Sequence, residues 1–379
     1  MRKIKVLHIL NTSDIGGAEK LMIDICKYTD NIKFDLVITS FKKGALEKEF
    51  KKFNHVKKID LNSPGYFSFK TLLRLNKLIK KEKIDIVQTH LQKPDLYGFF
   101  LKIFNPSIPW IIKKGNTDDY RKRLFWQLCN VLIHIPANRI IATSNQVKHF
   151  TNKWEFVPLN KISVIYSGID LADVDDQMKN NVKDLRKRIG IKKSDKVIIA
   201  VGRLVYQKGF PYLIKIMKEL SEQYKSYKLL IVGDGPLKKE LQTQIYKLNV
   251  QNNVKMLGER KDVIDLLRVS DVFCLSSVRE GIPITLMEAM YVGTPLVTTA
   301  VGGNKEIVQT GHNGFLEKPN DIQQIKRRIK ELCENNKNRK KQIINAKKTI
   351  IHKFSVKTSA KNYEKIYEKM INRRNISNE

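Results

Sequence analysis

Two glutamates, Glu280 and Glu288, stand eight positions apart in REGIPITLMEAMYVGTPLVTT, residues 279–299. Pro283 lies between them and suits the first position of a helix, where a missing N–H costs nothing. A helix starting there leaves the backbone N–H groups of Thr285 and Leu286 unpaired, at the positive end of the helix dipole, which is an anion site. Glu288 falls on the second turn, where a carboxylate can accept two hydrogen bonds from a diol such as a ribose. Glu280, beside Gly281 in the loop before the helix, is placed to meet hydroxyls at the other end of the same ligand. Dipole stabilisation of about 0.3–1 kcal/mol explains one Glu near a helix start without any ligand. It does not explain two acids bracketing the turn. Phosphates in the middle, a ribose at one acid and a sugar at the other make a nucleotide-sugar layout.

Cations for the phosphates are available in VGRLVYQKGF, residues 201–210. Arg203 and Lys208 follow an apolar run that reads as a strand, and the carboxyl end of a parallel strand is where an open α/β sheet binds ligands. Arg can grip a phosphate bidentately, whereas Lys acts as a point charge. Taken alone, the pair reads more readily as solvated loop cations. VGDGP at 232–236 permits a tight turn with close backbone approach, but a single G-x-G is also an ordinary strand-to-helix turn.

These residues need a scaffold, and the alternation of short Ile/Val-rich runs with helical patterns supplies one. KVLHIL (5–10), FDLVITS (34–40), IDIVQTH (84–90), IPWIIKKG (108–115) and RIIATS (139–144) read as strands in the first half. KVIIAVGRL (196–204), YKLLIVGDG (227–235), NVKMLG (253–258), DVFCLSS (271–277) and TPLVTT (294–299) repeat the plan. Buried strands separated by helices mean βαβ units and parallel sheets. An α/β chain of 379 residues accommodates two doubly wound domains. The join is expected at VIYSGIDLADVDDQ, residues 164–177, where a strand gives way to a Gly turn and an acidic, loop-like segment. From Asp321 onward the pattern is polar, Lys-rich helix.

The net charge of +33 points to anionic partners. A Lys-rich surface without specific meaning would spread that charge evenly. Instead residues 1–168 hold 30 Lys/Arg against 14 Asp/Glu, 169–320 hold 24 against 18, and 321–379 hold 17 against 6. Two segments mix cations with large apolar side chains: SFKTLLRLNKLIKKEK (68–83) and YRKRLFWQ (120–127). Each could meet an anionic lipid surface, although packing against the sheet explains the first and a buried aromatic side the second. The four cysteines are scattered, with no metal-ligand spacing, which fits a reducing compartment. VLHIL is too short for a secretory h-region, and no run approaches the roughly 18 apolar residues of a membrane span. The expectation is a cytoplasmic protein, at most peripheral on the inner face of the cytoplasmic membrane, with no cofactor and no metal.

The motifs, in order, resemble retaining glycosyltransferases of the GT-B, family 4 type, the glycosyl transferases group 1. The resemblance rests on GGAEK near the start, VQTHLQKPDLYG (87–98), VGRLVYQKG, LLIVGDGPLKKEL (229–241) and E-GIPITLM-E followed by AMYVGTPLVTTAVGGNKEIV (289–308). It spans almost the whole chain. It departs from the family pattern at Asn138, where an Asp is frequent, and in GGNKE, which lacks a frequent Pro before Glu306.

The resemblance implies two Rossmann-like domains facing each other across a cleft: residues 1–168 binding the acceptor, 169–355 binding the nucleotide sugar, and a terminal helix, 356–379, returning to the first domain. It implies that Arg203 and Lys208 grip the donor diphosphate, Glu288 binds the ribose and Glu280 sits beside the donor sugar. His90 would lie near the anomeric carbon; a lone strand-end His is otherwise more often structural. Gly16 and Gly17, and less firmly Gly302 and Gly303, would let backbone approach the donor. The implied reaction moves a sugar, with retention and without a metal, from a nucleotide-diphosphate sugar to a hydroxyl. UDP is the commonest donor nucleotide in the family and GDP the alternative. The acceptor would be a glycan, and the basic N-terminal half suggests a lipid-linked intermediate of bacterial cell-surface polysaccharide. A nucleotide-sugar epimerase or hydrolase on the same scaffold is a rival reading. A nicotinamide dehydrogenase would need a third glycine that IGGAEK lacks. A nucleic-acid-binding protein would explain the charge, but the phosphate turns at strand ends and the lack of an aromatic platform argue against nucleic acid.

Overall fold

Aliphatic runs bounded by polar turns form the strands of a computed structural model of the chain. It describes residues 2–376 apart from 14–16, 46, 64, 116, 118–120, 122 and 335, with backbone alone at 17, 18, 20, 336–338 and 373–376. Two units result: residues 1–168 with 356–379, and residues 169–355.

The first unit is built on seven strands: β1 (Ile4–Thr12), β2 (Phe34–Lys42), β3 (Val56–Asp60), β4 (Ile86–His90), β5 (Trp110–Lys114), β6 (Arg139–Ala142) and β7 (Ile162–Val164). Their order is β3-β2-β1-β4-β5-β6-β7, and every pairing is parallel. The order reverses between β1 and β4, so their connections leave to opposite sides and a crevice opens at their carboxyl ends. One face packs Leu7, Ile9, Val87, Trp110 and Ile112 against the helices Phe69–Glu82 and Gln92–Phe104. The other packs Val6, Leu10, Ile38, Ile86 and Ile111 with Tyr363, Tyr367 and Met370 of the helix Val356–Ile376. Those three buried side chains tie the terminal helix to the first unit.

The second unit carries β8 (Lys196–Val201), β9 (Tyr227–Val232), β10 (Val254–Gly258), β11 (Val272–Leu275), β12 (Leu296–Thr299) and β13 (Phe315–Glu317). The order is β10-β9-β8-β11-β12-β13, again parallel throughout. Its reversal falls between β8 and β11.

Three local expectations are corrected. The acidic segment after Gly168 is not loop but the helix Leu171–Met178, capped by the Asp170 carboxylate, which accepts the Ala172 N–H at 3.1 Å. Acids at an N-cap and in a first turn satisfy orphan N–H groups and the dipole. Pro283 is the N-cap, with extended backbone, rather than the first residue of the helix Ile284–Val292. The edge strands β3 and β13 had no counterpart in the sequence reading, because VKKID is broken by two lysines and FLE is three residues long.

One contact sets how the helix after β4 lies on the sheet. Gly98 faces the Trp110 indole so closely that a Cβ there would meet ring atoms at 2.5 Å. The indole N–H donates to Thr89 Oγ1 at 3.1 Å, and Thr89 donates to Asp95 at 2.6 Å. Helix, strand end and ring are thereby locked together one residue before His90. Gly98→Ala is expected to destabilise the protein by about 1–3 kcal/mol through overpacking, measured as a lowered thermal midpoint. An unchanged midpoint would show that the helix can shift off β5.

Candidate functional site

In the second unit the sequence-derived residues gather at the β8/β11 reversal. After β8 the chain passes Arg203 and makes a 3-10 turn, Tyr206–Lys208, ended by Gly209 at φ 69°. A Cβ on Gly209 would stand 2.1 Å from the Ser276 carbonyl. The turn can therefore press against the end of β11 only with glycine there. Ser276 Oγ donates to the Gly209 carbonyl at 2.9 Å, and the Val278 N–H donates to Gln207 at 2.8 Å. Across the loop, the Gly303 N–H donates to the Gly281 carbonyl at 2.8 Å. The segment between β11 and the Ile284–Val292 helix is thus pinned on both sides.

This framework holds Glu280, 8% exposed, against Lys208. The Lys208 Nζ donates to both carboxylate oxygens, at 2.8 and 2.9 Å, and Ser277 Oγ donates to one of them. Sequence reading gave Lys208 to a phosphate and Glu280 to a sugar; the structure joins them to each other. An ammonium has three N–H groups, so the pair retains donor capacity for an incoming anion. Arg203 is exposed and has no polar partner among the described residues. Thr285 Oγ1 reaches toward the Val201 carbonyl at 3.5 Å, which sets the first turn of the helix beside the end of β8. Pro283 offers no side-chain cap, and among the described residues no partner is seen for the Thr285 and Leu286 N–H groups. Leu286 is fully buried and can offer a ligand its backbone alone. Glu288 is half-buried on the second turn.

In the first unit His90 ends β4 at the other reversal, 3% exposed. Its Nε2 lies 3.1 Å from Nδ1 of His8 on β1 and 3.4 Å from the Gln88 amide nitrogen. The Tyr367 hydroxyl donates to Gln88 Oε1 at 2.8 Å. Burial and the charge of Lys113 hold the His8 pKa down at about 3. Burial, Lys113 and His8 hold His90 well below the usual histidine range. Lys113 itself is lowered to about 8 by burial, opposed by Glu19. The residue after His90, Leu91, has φ 75° and ψ 168°, a region almost reserved for glycine, and such strain clusters at functional sites. Gly17 opens the first helix, while Gly16 lies outside the described residues.

Sequence reading missed His8, Gln88, Lys113 and Tyr367, which lie far apart along the chain. It also missed a second buried group on the opposite face of the sheet. There Lys114 donates to Asp95 at 3.1 Å, and Glu155 takes Arg121, with His134 at 3.5 Å. Adjacent lysines at a strand end were the one local signal for either group. Among the described residues no cluster of three or more His, Cys, Asp or Glu is placed to hold a metal, and no helix is long and apolar enough to cross a membrane.

Two doubly wound parallel units with polar groups at both reversals have the GT-B fold of glycosyltransferases. Residues 15–173 match the family described as Glycosyltransferase Family 4, and residues 181–349 match Glycosyl transferases group 1. A UDP-Gal:alpha-D-GlcNAc-diphosphoundecaprenol alpha-1,3-galactosyltransferase of Escherichia coli is 30% identical over 334 residues, 84% of this chain and 85% of that protein. The capsular polysaccharide biosynthesis glycosyltransferase CapH of Staphylococcus aureus is 25% identical over 322 residues, 81% of this chain and 84% of CapH. Among solved structures, a glycosyltransferase from Rickettsia africae superposes with a TM-score of 0.84 at 21% identity, covering 98% of this chain and 99% of that one. Anabaena HepE in complex with UDP-glucose gives 0.78 at 23%, covering 97% and 100%. The chain belongs to the family 4 glycosyltransferases.

The buried histidines make an acid-stability prediction. A histidine whose folded-state pKa is depressed contributes stability that is fully present above pH 6.5 and is lost as pH falls toward about 3. The slope is about 1.4 kcal/mol per pH unit for one such group. Denaturant midpoints measured from pH 7 to 5 are expected to fall less steeply for His8→Gln than for wild type. Parallel profiles would show that His8 is not kept neutral by folding.

Proposed function

We propose that the protein transfers a sugar from a UDP-sugar to a hydroxyl of a lipid-linked glycan intermediate in cell-surface polysaccharide synthesis, with retained anomeric configuration and without a metal. The observation that carries this reading is the Lys208–Glu280 pair, held at the β8/β11 reversal beside the open first turn of the Ile284–Val292 helix. The UDP named in the HepE structure and the diphosphoundecaprenol acceptor named for the E. coli relative support the donor and acceptor classes. CapH supports the pathway class.

In this reading residues 169–355 bind the donor and residues 1–168 the acceptor. Arg203, the free N–H of Lys208 and the N–H groups of Thr285 and Leu286 stabilise charge developing on the diphosphate as the bond from the anomeric carbon to phosphate oxygen breaks. Glu288 accepts from the ribose hydroxyls. Glu280 and Gly281 meet the donor sugar, with Glu280 also orienting Lys208. His90 meets the transferred sugar, and Gly16 and Gly17 give the donor backbone access. The acceptor oxygen bonds to the anomeric carbon on the face the diphosphate leaves, and its proton passes to the departing phosphate oxygen. Arg203→Ala and Glu288→Ala are each expected to cut turnover with the preferred member of a nucleotide-sugar panel by about 10²-fold or more, with unchanged thermal midpoints. Wild-type turnover in either variant would reject the donor site. Release of free sugar or an epimer without acceptor would favour a hydrolase or epimerase.

An anionic membrane surface fits the outside of the first unit. The helix Leu124–His134 is inside out: its buried side chains are Asn130 and His134, while Leu124, Phe125, Leu128 and Leu132 are each at least 59% exposed. The expectation of a buried aromatic side is therefore corrected for Phe125, and the Phe69–Glu82 helix instead packs by Leu72, Leu75 and Ile79. The helix itself has no Lys or Arg, but residues 120–161 around it hold seven Lys/Arg and one acid, Glu155, a cationic excess that an anionic surface would attract. A second copy of so cationic a chain would meet repulsion there. Wild type is expected to co-sediment with phosphatidylglycerol-containing vesicles and not with pure phosphatidylcholine, and Leu128→Glu/Leu132→Glu to stay in the supernatant. Equal sedimentation of both proteins would remove this helix from membrane binding.

A further inference from the structure

We infer that His90 acts as a neutral hydrogen-bond donor through Nδ1–H, its tautomer fixed by His8, Gln88 and the Tyr367 hydroxyl of the terminal helix. The inference rests on the proposed place of His90 against the transferred sugar.

The assignment follows from satisfying buried donors in turn. Tyr367 is 1% exposed, so its hydroxyl proton needs an acceptor, and Gln88 Oε1 at 2.8 Å is the one it has among the described residues. With its carbonyl turned to Tyr367, the Gln88 amide must present N–H groups to the other side, where His90 Nε2 lies at 3.4 Å. A protonated Nε2 would set donor against donor. Nε2 therefore carries the lone pair, and the 3.1 Å contact with His8 is a bond donated by His8 Nδ1–H. The proton of a neutral His90 is left on Nδ1. That atom is buried and has no partner among the described residues. An oxygen acceptor on the ligand, such as a sugar hydroxyl, would complete it.

Among the described residues, burial, Lys113 and His8 favour the neutral form of the ring. His8 reaches it from β1, Gln88 from its own strand, Lys113 from β5 and Tyr367 from the terminal helix, and Glu19 acts on Lys113. None of these places a carboxylate on the imidazole among the contacts described. Unlike the His of a Ser-His-Asp triad, whose Nδ1–H is already taken by a carboxylate, His90 has its Nδ1–H left to give to substrate. Gln88, His8 and Tyr367 are positioning residues, acting through His90.

The test is a long-range proton–nitrogen spectrum of protein labelled with nitrogen-15 histidine, at neutral pH, with the His90 signals assigned by their loss in His90→Asn. The expected pattern is a protonated Nδ1 and an unprotonated Nε2. A protonated Nε2, or a charged ring, overturns the inference. Kinetics give the second arm. The amide of His90→Asn puts an N–H where Nδ1 stands, and that of His90→Gln puts one where Nε2 stands. His90→Asn and His90→Gln should both lose turnover, and His90→Gln should lose about 10²-fold more, the cost of one missing donor. Equal loss in both overturns the donor role. Tyr367→Phe should mix the tautomers in the spectrum and lower kcat with donor KM unchanged; a wild-type spectrum would remove Tyr367 from the chain. Wild-type turnover in His90→Ala would instead reject the underlying placement of His90 at the sugar.

Discussion

A carboxylate shielded from water persists as an anion only when cations and donors replace its hydration. Glu280 meets this constraint through the Lys208 ammonium on both its oxygens and the Ser277 hydroxyl on one. The architecture of the second unit's strand ends serves that arrangement. Gly209 lets the 3-10 turn close on Ser276, Val278 is tied to Gln207, and Gly303 is tied to Gly281. Without these anchors together, the ammonium and carboxylate would sit on independent loops, and their pairing would have to overcome the entropy of ordering both. With them, charge is fixed in space before any ligand arrives, which is the form of electrostatic preorganisation that lowers a barrier to charge separation.

Parallel topology puts such groups where they are. Consecutive strands leave to opposite faces where the order reverses, at β1/β4 and at β8/β11, so polar residues just past the last aliphatic side chains converge there without disrupting the core. The first unit uses His8 and His90, the second Lys208 and Glu280. The chemistry differs between them. The histidine pair is held uncharged by burial and Lys113, whereas the second unit brings together a Lys–Glu ion pair.

What the sequence made legible follows from the range of the forces involved. Aliphatic runs are local, and they located the central strands; Pro283 located the helix that follows it to within one residue. The short or Lys-interrupted edge strands β13 and β3 escaped this reading, because an edge strand needs less apolar surface. The helix Leu171–Met178 was read as a solvated turn although Asp170 is its cap, an error of weighting, since acids at a helix start were visible. The site was legible as a set of residues and not as a set of contacts. Lys208 and Glu280 are 72 residues apart, and His8 and His90 are 82 apart. No spacing rule reports a pairing made by sheet order. The inside-out face of the Leu124–His134 helix is hidden for a related reason. Its buried Asn130 and His134 sit on the same side of the molecule as Glu155, a partner supplied by another helix.

Lys113 and Lys114 show how one sheet turns a repeated residue into two functions. Neighbours on a strand must point to opposite faces. Lys114 meets Asp95, which also takes the Thr89 hydroxyl, and the result is a satisfied ion pair that fixes the end of β4 to its helix. Lys113, on the other face, acts electrostatically on two imidazoles, and its charge is supported by Glu19. A cation there disfavours protonation of both rings. The same residue type, displaced by one position, holds the strand from one side and sets the protonation of its last residue from the other. The identity of the residue at 113 matters through its charge, and that at 114 through its hydrogen bond.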